Sequence, residues 1–252
     1  MPRLLTLNLT ALIVTAIALG WATNARADEP ARVLIVNGKG HHHGAKPEQA
    51  MRDALKVDER MQPELVDIAS LGETDLSPYA TVVISDAYSA ELLGRPGFDR
   101  IERFVRDGGG LVLIHFACGA FHELAEEFEP MAGRVWFGRK PPPGRHQHDP
   151  YGEFTVKITD AKHPITAGLN DFQTIDELYT CFADSDVPIT VLAEATSKND
   201  GKDYPMAFVL NFHKGRVFHC TLGHDRRAIT SDGPAQLIRR GTAWTAGLEV
   251  TR

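Results

Sequence analysis

The sequence predicts a doubly wound α/β protein on a parallel sheet, and three observations predict it. Short apolar runs with no polar residue recur, beginning with Val33-Leu34-Ile35-Val36, as strands covered on both faces require. Stretches with helical apolar spacing separate them. The resulting β-α-β-α-β order implies right-handed crossovers, which place helices on both faces of the sheet.

The elements follow in turn. After the first strand, "NGKGHHHGAKP" (37–47) reads as a loop. Pro47 to Val57 reads as a helix, with proline near its start and Ala50, Met51, Ala54 and Leu55 on one face. "ELVDIAS" (64–70) is a second strand and "ATVVIS" (80–85) a third. Apolar residues at 98, 101, 104 and 105 mark another helix. Gly108 to Gly110 precede the strand "LVLIHF" (111–116), so they turn helix into strand and do not cradle a phosphate. Residues 129–152, rich in Pro, Gly and Arg, form a long excursion of the functional or mobile kind. "EFTVKI" (153–158) alternates polar with apolar, as a half-exposed strand near the sheet edge does. "PITVLAEA" (188–195), "PMAFVL" (205–210) and "GRVFHCTLG" (215–223) supply further strands, and Pro234 to Trp244 a closing helix. Neither an internal repeat nor a disordered linker interrupts the chain, so one domain is expected.

That domain is expected to span residues 28–252. An apolar run from Leu4 to Ala22, followed by Ala25-Arg26-Ala27, reads as a signal peptide over 1–27 with an A-x-A cleavage site. An uncleaved anchor is the alternative. Removing those 27 of the 252 residues leaves 225, and no later segment approaches the roughly 18 apolar residues of a membrane span. The protein is therefore expected in the periplasm or outside the cell. The leader carries two arginines and no acid, so its loss takes the formal charge from −6 to −8. That balance, without a basic run, excludes a nucleic-acid partner. The three cysteines, Cys118, Cys181 and Cys220, form no C-x-x-C pair. One bridge with one free thiol, or three buried thiols, both stay open.

Candidate chemistry sits at the strand ends. Gly38-x-Gly40-x-x-x-Gly44 misses the dinucleotide fingerprint by one position, with three histidines where a pyrophosphate needs close backbone approach. Consecutive side chains cannot all converge on one ion, so at most two of His41, His42 and His43 could be ligands; a solvated loop is the plainer reading. His115 ends an apolar strand at the edge of the sheet where ligands bind, though a satisfied core histidine is the usual case. "RVFHCTLGHD" repeats the pattern and closes on His224, whereas His219 lies inside its strand as a structural residue. His146-Gln147-His148-Asp149 and the adjacent Asp176 and Glu177 lie between them. The two neighbouring carboxylates point in different directions, so one of them should reach the site. Histidine and carboxylate at one cleft serve acid/base chemistry or hold a metal, but no His-x-x-x-His spacing marks a metal site.

"GGGLVLIHFA", "KHPITAGLNDFQTIDELY" and "GRVFHCTLGHD", in that order, resemble the trehalose-utilisation (ThuA-like) family from about Val33 to Gly247. "HDPYGEF" and "DGKDYPMAF" look like its exported branch. The resemblance implies a fold similar to class I glutamine amidotransferases, a flavodoxin-like, mostly parallel sheet. In those enzymes a cysteine nucleophile sits on a sharp turn after an apolar strand, and a histidine follows a later strand. Here His115 stands at the cysteine position and His224 at the histidine position, while Cys118 lies beyond the turn, which puts acyl transfer in doubt. The family is associated with sugar catabolism, notably of disaccharides oxidised to 3-keto derivatives. A 3-keto group acidifies neighbouring C–H bonds, so an isomerase, hydratase or lyase needs a base and an electrophile beside it.

The resemblance thus implies His115, His224 and Glu177 as catalytic residues. His43, His148, Asp149, Asp176 and Tyr179 would bind substrate, and Tyr88, Trp136 and Tyr179 would offer stacking faces. A divalent zinc or manganese ion at His43, His115 and His224 is a variant of this reading. The expected partner is a small-molecule carbohydrate, and a homo-oligomer stays open. A non-catalytic sugar-binding protein with a retained cleft is the alternative.

Overall fold

Alternation along the apolar runs sends successive side chains into two different cores. The computed structural model describes residues 29–37, 46–85 and 90–251. The leader and the triple-histidine loop, with Tyr88, lie outside them.

Nine strands are described: β1 (Ala31–Asn37), β2 (Met61–Asp67), β3 (Thr81–Ile84), β4 (Gly110–Ile114), β5 (Gly152–Ile158), β6 (Phe172–Asp176), β7 (Thr190–Thr196), β8 (Asp203–Phe212) and β9 (Gly215–Cys220). The helices are α1 (Pro47–Leu55), α2 (Ala90–Arg106), α3 (Ala125–Ala132), α4 (Arg226–Thr230) and α5 (Asp232–Thr245). The sheet order is β2-β1-β3-β4-β9-β8-β7-β5-β6. From β2 to β9 neighbours run parallel, and from β9 to β6 they run antiparallel.

Val33, Ile35, Val112, Ile114 and Phe218 enter one core with residues of α1, α4 and α5. Leu34, Val36, Leu111, Leu113 and Val217 enter the other with residues of α2 and α3. Helices thus cover both faces, so the expected doubly wound α/β fold is the observed one. Burying a Val, Leu or Ile side chain contributes roughly 1.5–3 kcal/mol, which makes this alternation the main constraint on strand register.

Three local differences have plain causes. β2 begins at Met61 and stops at Asp67, whose carboxylate accepts the Ala69 N–H and turns Ile68–Ser70 into a 3₁₀ turn. β6 was not anticipated, because "FQTID" alternates with polar residues and lacks an apolar run. Nor was α4, a helix of five residues started by the Asp225 side chain, which accepts the Ala228 N–H.

Two features place the site. Lys157 and Ile158 of β5 pair with β7, while Gly152 to Val156 pair with β6. The β5–β6 ribbon therefore leaves the ladder of the main sheet, and β6 contacts α4 and α5. The long excursion, expected over 129–152, is shortened to 133–151 by the end of α3 and the start of β5, and is held by backbone bonds to the segment after β6. Ala183 N–H donates to Val135 O, Phe137 N–H to Cys181 O, and Asp149 N–H to Leu178 O. That pinning makes it a wall beside the strand ends.

Candidate functional site

β4 ends at Ile114, and the next residue, His115, takes φ +53° to open a 3₁₀ turn over His115–Gly119. A non-glycine residue in the left-handed region costs on the order of 1–3 kcal/mol and persists only where its surroundings demand it. The turn lifts the imidazole out of the strand at the carboxyl edge of the sheet. The ring is fully buried.

Both ring nitrogens can be assigned. Nδ1 lies 2.9 Å from the Thr221 carbonyl oxygen, which can only accept, so Nδ1 carries a proton and donates. In the neutral ring Nε2 is then an acceptor, and the Tyr179 hydroxyl meets it at 2.8 Å. Glu177 Oε2 lies 3.6 Å from the same nitrogen. A backbone carbonyl behind one nitrogen and polar groups before the other is how proteins orient a working histidine.

His224 follows β9 across a tight turn at Gly223, whose φ is +122°. A Cβ there would approach Ile114 Cγ2 to 2.8 Å, so the two strand ends meet because position 223 has no side chain. The His115 and His224 ring centroids are 5.3 Å apart. Glu177 lies between them, with Oε2 also 3.3 Å from His224 Nδ1. On its other side Oε1 is 3.7 Å from His148 Nδ1, at the rim. Burial pushes the Glu177 carboxyl up, but the imidazoles around it, His115, His224 and His148, outweigh burial and hold it well below the usual carboxylate range. The Glu177 hydrogen bond in turn raises His224 above its ordinary 6.5, against the opposing effect of burial.

Asp176, expected to bind substrate, is instead buried behind the pair, with Oδ1 3.9 Å from His115 Nδ1. Its carboxylate accepts the N–H groups of Gly223 at 2.7 Å, His224 at 3.2 Å and Glu177 at 2.8 Å. Burial is the larger influence and raises its pKa despite those bonds. It ties the end of β6 to the turn after β9, so it positions Glu177 and His224 from behind. Of the two adjacent carboxylates, both near His115, Glu177 alone lines the neighbouring cleft.

A cleft of about 350 Å³ opens beside this cluster, within the range of small-ligand pockets. Phe116, Trp136, Gln147 and Cys181 line it with Glu177 and Tyr179, and the exposed Arg139 stands on its lip. Trp136 meets Phe116 edge-to-face at 5.3 Å, and its Nε1–H donates to Gln147 Oε1 at 2.6 Å, which fixes the indole.

Not every expected residue comes to this cleft: His115, fully buried, and His224 do not line it and stand against the lining residues Tyr179 and Glu177. Tyr179 is only 4 % exposed and packs on the His115 ring at 4.4 Å, so its hydroxyl and not its ring face addresses the site. Asp149 is turned inward, accepting from Ser197 Oγ at 2.7 Å and Lys198 N at 2.6 Å, so its carboxylate braces the wall and does not bind substrate. His43 and Tyr88 fall outside the described residues. His219 is structural, as read, with Nδ1 on Ala132 O. Cys118 is three residues past the elbow and 1 % exposed, and burial pushes its thiol well up, so it does not stand in for the acyl-transfer nucleophile of the elbow. Tyr151, unremarked in the sequence, packs on the His224 ring at 5.1 Å and donates to Asp225 Oδ2 at 3.0 Å. Its only sequence signal was its place beside His148 and Asp149.

Known proteins bear on this arrangement. The chain resembles the structure of a ThuA-like protein from Parabacteroides merdae, with a TM-score of 0.76 at 24% identity over 89% of this chain and 93% of that one. A ThuA-like protein from Bacteroides uniformis follows with 0.66 at 17%, over 90% and 95%. A protein assigned to GMP synthase, from Thermoplasma acidophilum, gives 0.54 at 13%, over 87% and 95%. These likenesses show the shared ThuA-like and glutamine amidotransferase-like fold. No curated protein matches in sequence. A family model described as trehalose utilisation matches residues 32–245, so the chain belongs to the ThuA family.

Proposed function

We propose that this ThuA-family chain is an exported enzyme of carbohydrate catabolism that moves protons on a glycoside or 3-keto-sugar, in the periplasm or outside the cell. The observation that carries the reading is His115. It stands on a positive-φ elbow with Nδ1 committed to a carbonyl and Nε2 presented to Tyr179 and Glu177, with His224 across the carboxylate.

In the neutral ring, His115 Nε2 can take the proton of Tyr179, whose oxygen, at the cleft, then accepts a proton from carbon beside a ketone. His224, whose proton Glu177 favours and whose side chain is part-exposed, can donate to an oxygen where charge develops. Glu177 orients both rings. Trp136 and Phe116 offer apolar surface to the C–H face of a sugar ring.

The same donors fit a divalent ion. One atom each of His115, Glu177 and His224 lie within 4.8 Å of one another, and two imidazoles with a carboxylate are a donor set that zinc or manganese accepts. Such an ion, when bound, would polarise a keto oxygen.

The test is to incubate the chain lacking residues 1–27 with 3-keto-disaccharides, follow the carbonyl signal by NMR, and quantify metal with and without a chelator. Turnover is expected, with His115→Ala and His224→Ala each lowering kcat by about 10²–10⁴-fold. Full turnover in either variant overturns the site assignment. Sugar binding without conversion of any keto-sugar favours the non-catalytic binding protein instead.

A further inference from the structure

In the cleft wall lies a pair of side chains that the proposed chemistry does not use. Cys118 Sγ and Cys181 Sγ are 3.9 Å apart, in residues 63 positions distant in the chain. Both are buried, at 1 % and 2 % exposure, among Tyr179, Phe182 and the edges of Phe116 and Trp136. One strip of backbone joins them: Trp136 N–H donates to Cys118 O and Phe137 N–H to Cys181 O, each at 2.9 Å. Cys118 belongs to the turn that His115 opens, and Cys181 lies two residues after Tyr179, whose hydroxyl meets His115. Cys220 sits in β9, in the core on the α1 and α5 face, apart from this cluster.

We propose that Cys118 and Cys181 form a disulfide that fastens the His115 turn to the segment carrying Glu177 and Tyr179, leaving Cys220 as a thiol. The sulfurs need to come about 2 Å closer to reach disulfide bonding distance, a shift shared between two side chains. Cys181 lines the cleft, which gives a small oxidant a way in. The balance is simple. One thiolate attacks a sulfur of a small-molecule or protein disulfide and expels a thiol. The second cysteine then displaces the mixed disulfide, so two protein thiols are oxidised and the donor disulfide is reduced to two thiols. In the cell the proposal leans on export for its oxidant, but its test does not depend on export or on turnover.

A bridge closing a loop of this size constrains the unfolded chain and protects the geometry of the cleft wall. It also fastens the turn that carries His115 to the segment that carries Tyr179.

The experiment refolds the chain lacking residues 1–27 in a buffer of reduced and oxidised glutathione. Thiols are then counted in denaturant, and an unreduced digest is examined by mass spectrometry. Expected are one free thiol per chain and a peptide linking 118 to 181, two hydrogens lighter than its reduced form. Cys220→Ser should lower the thiol count to none, and Cys118→Ala should remove the linked peptide and lower Tm by about 10 °C. Three free thiols, a bridge to Cys220, or glutathione retained on Cys181 overturns the proposal. Sugar turnover without the bridge would sink this proposal alone. The bridge without turnover would sink the proposed function alone.

Discussion

At the scale of residues, the site depends on how one carboxylate divides its influence between imidazoles. The His224 pKa is raised in the fold, so its bound proton stabilises the protein below 6.5, and this is lost as pH climbs through the folded value. The Glu177 pKa is lowered, so its charge stabilises above 4.5 and fails as pH falls through its folded value. The pair is at full strength between about pH 4.5 and 6.5. Glu177→Gln should therefore move the His224 titration, followed by histidine NMR, to lower pH, and lower kcat by about 10²-fold. An unmoved titration would show that the pair does not hold. His115 and His224 were legible in the sequence because each closes an apolar run at a strand end. Thr221 was not: it acts through its carbonyl, which every residue has. Asp149 was misplaced because its partners lie 48 and 49 positions on, at Ser197 and Lys198.

Elements obey contacts that their own sequence does not display. Gly241 lies inside α5, where alanine usually improves an exposed helix by about 1 kcal/mol. Here a Cβ would come within 2.1 Å of the Phe218 ring in β9. Gly241→Ala is expected to destabilise the protein by about 1–3 kcal/mol in urea unfolding, since the ring has to move in a packed core. A gain in stability would mean that α5 shifts freely on the sheet. The parallel strands were readable as elements because both their faces are apolar. β6 and α4 were hidden for opposite reasons. β6 alternates polar with apolar at an edge, and α4 is too short to show a helical period. The excursion at 133–151 looked like loop, since isolated bridges such as Trp136 with Phe182 leave no periodic trace.

For the whole molecule, stability should follow a histidine outside the proposed chemistry. Burial lowers the His219 pKa from 6.5 to about 4, so the fold resists its protonation while the unfolded chain accepts a proton below 6.5. Stability from this residue is complete above pH 6.5 and declines as pH falls to about 4, by about 3 kcal/mol in all. His219→Gln should flatten that decline, recovering about 2 kcal/mol of the difference between unfolding at pH 7 and at pH 4.5. Equal pH slopes in both proteins would place the acid sensitivity elsewhere. The fold class was evident in the sequence from the alternation of strands and helices. The departure of the β5–β6 ribbon from the main ladder was not, because it depends on one strand serving two partners.

That shared strand, β5, sets how the molecule fails. Its first five residues carry the ribbon that delivers Glu177, while its last two anchor the ribbon to the antiparallel half. Slippage of this hinge by one residue would leave both imidazoles seated and take the carboxylate from between them. Lesions in the outer ribbon should therefore silence the protein long before they melt it.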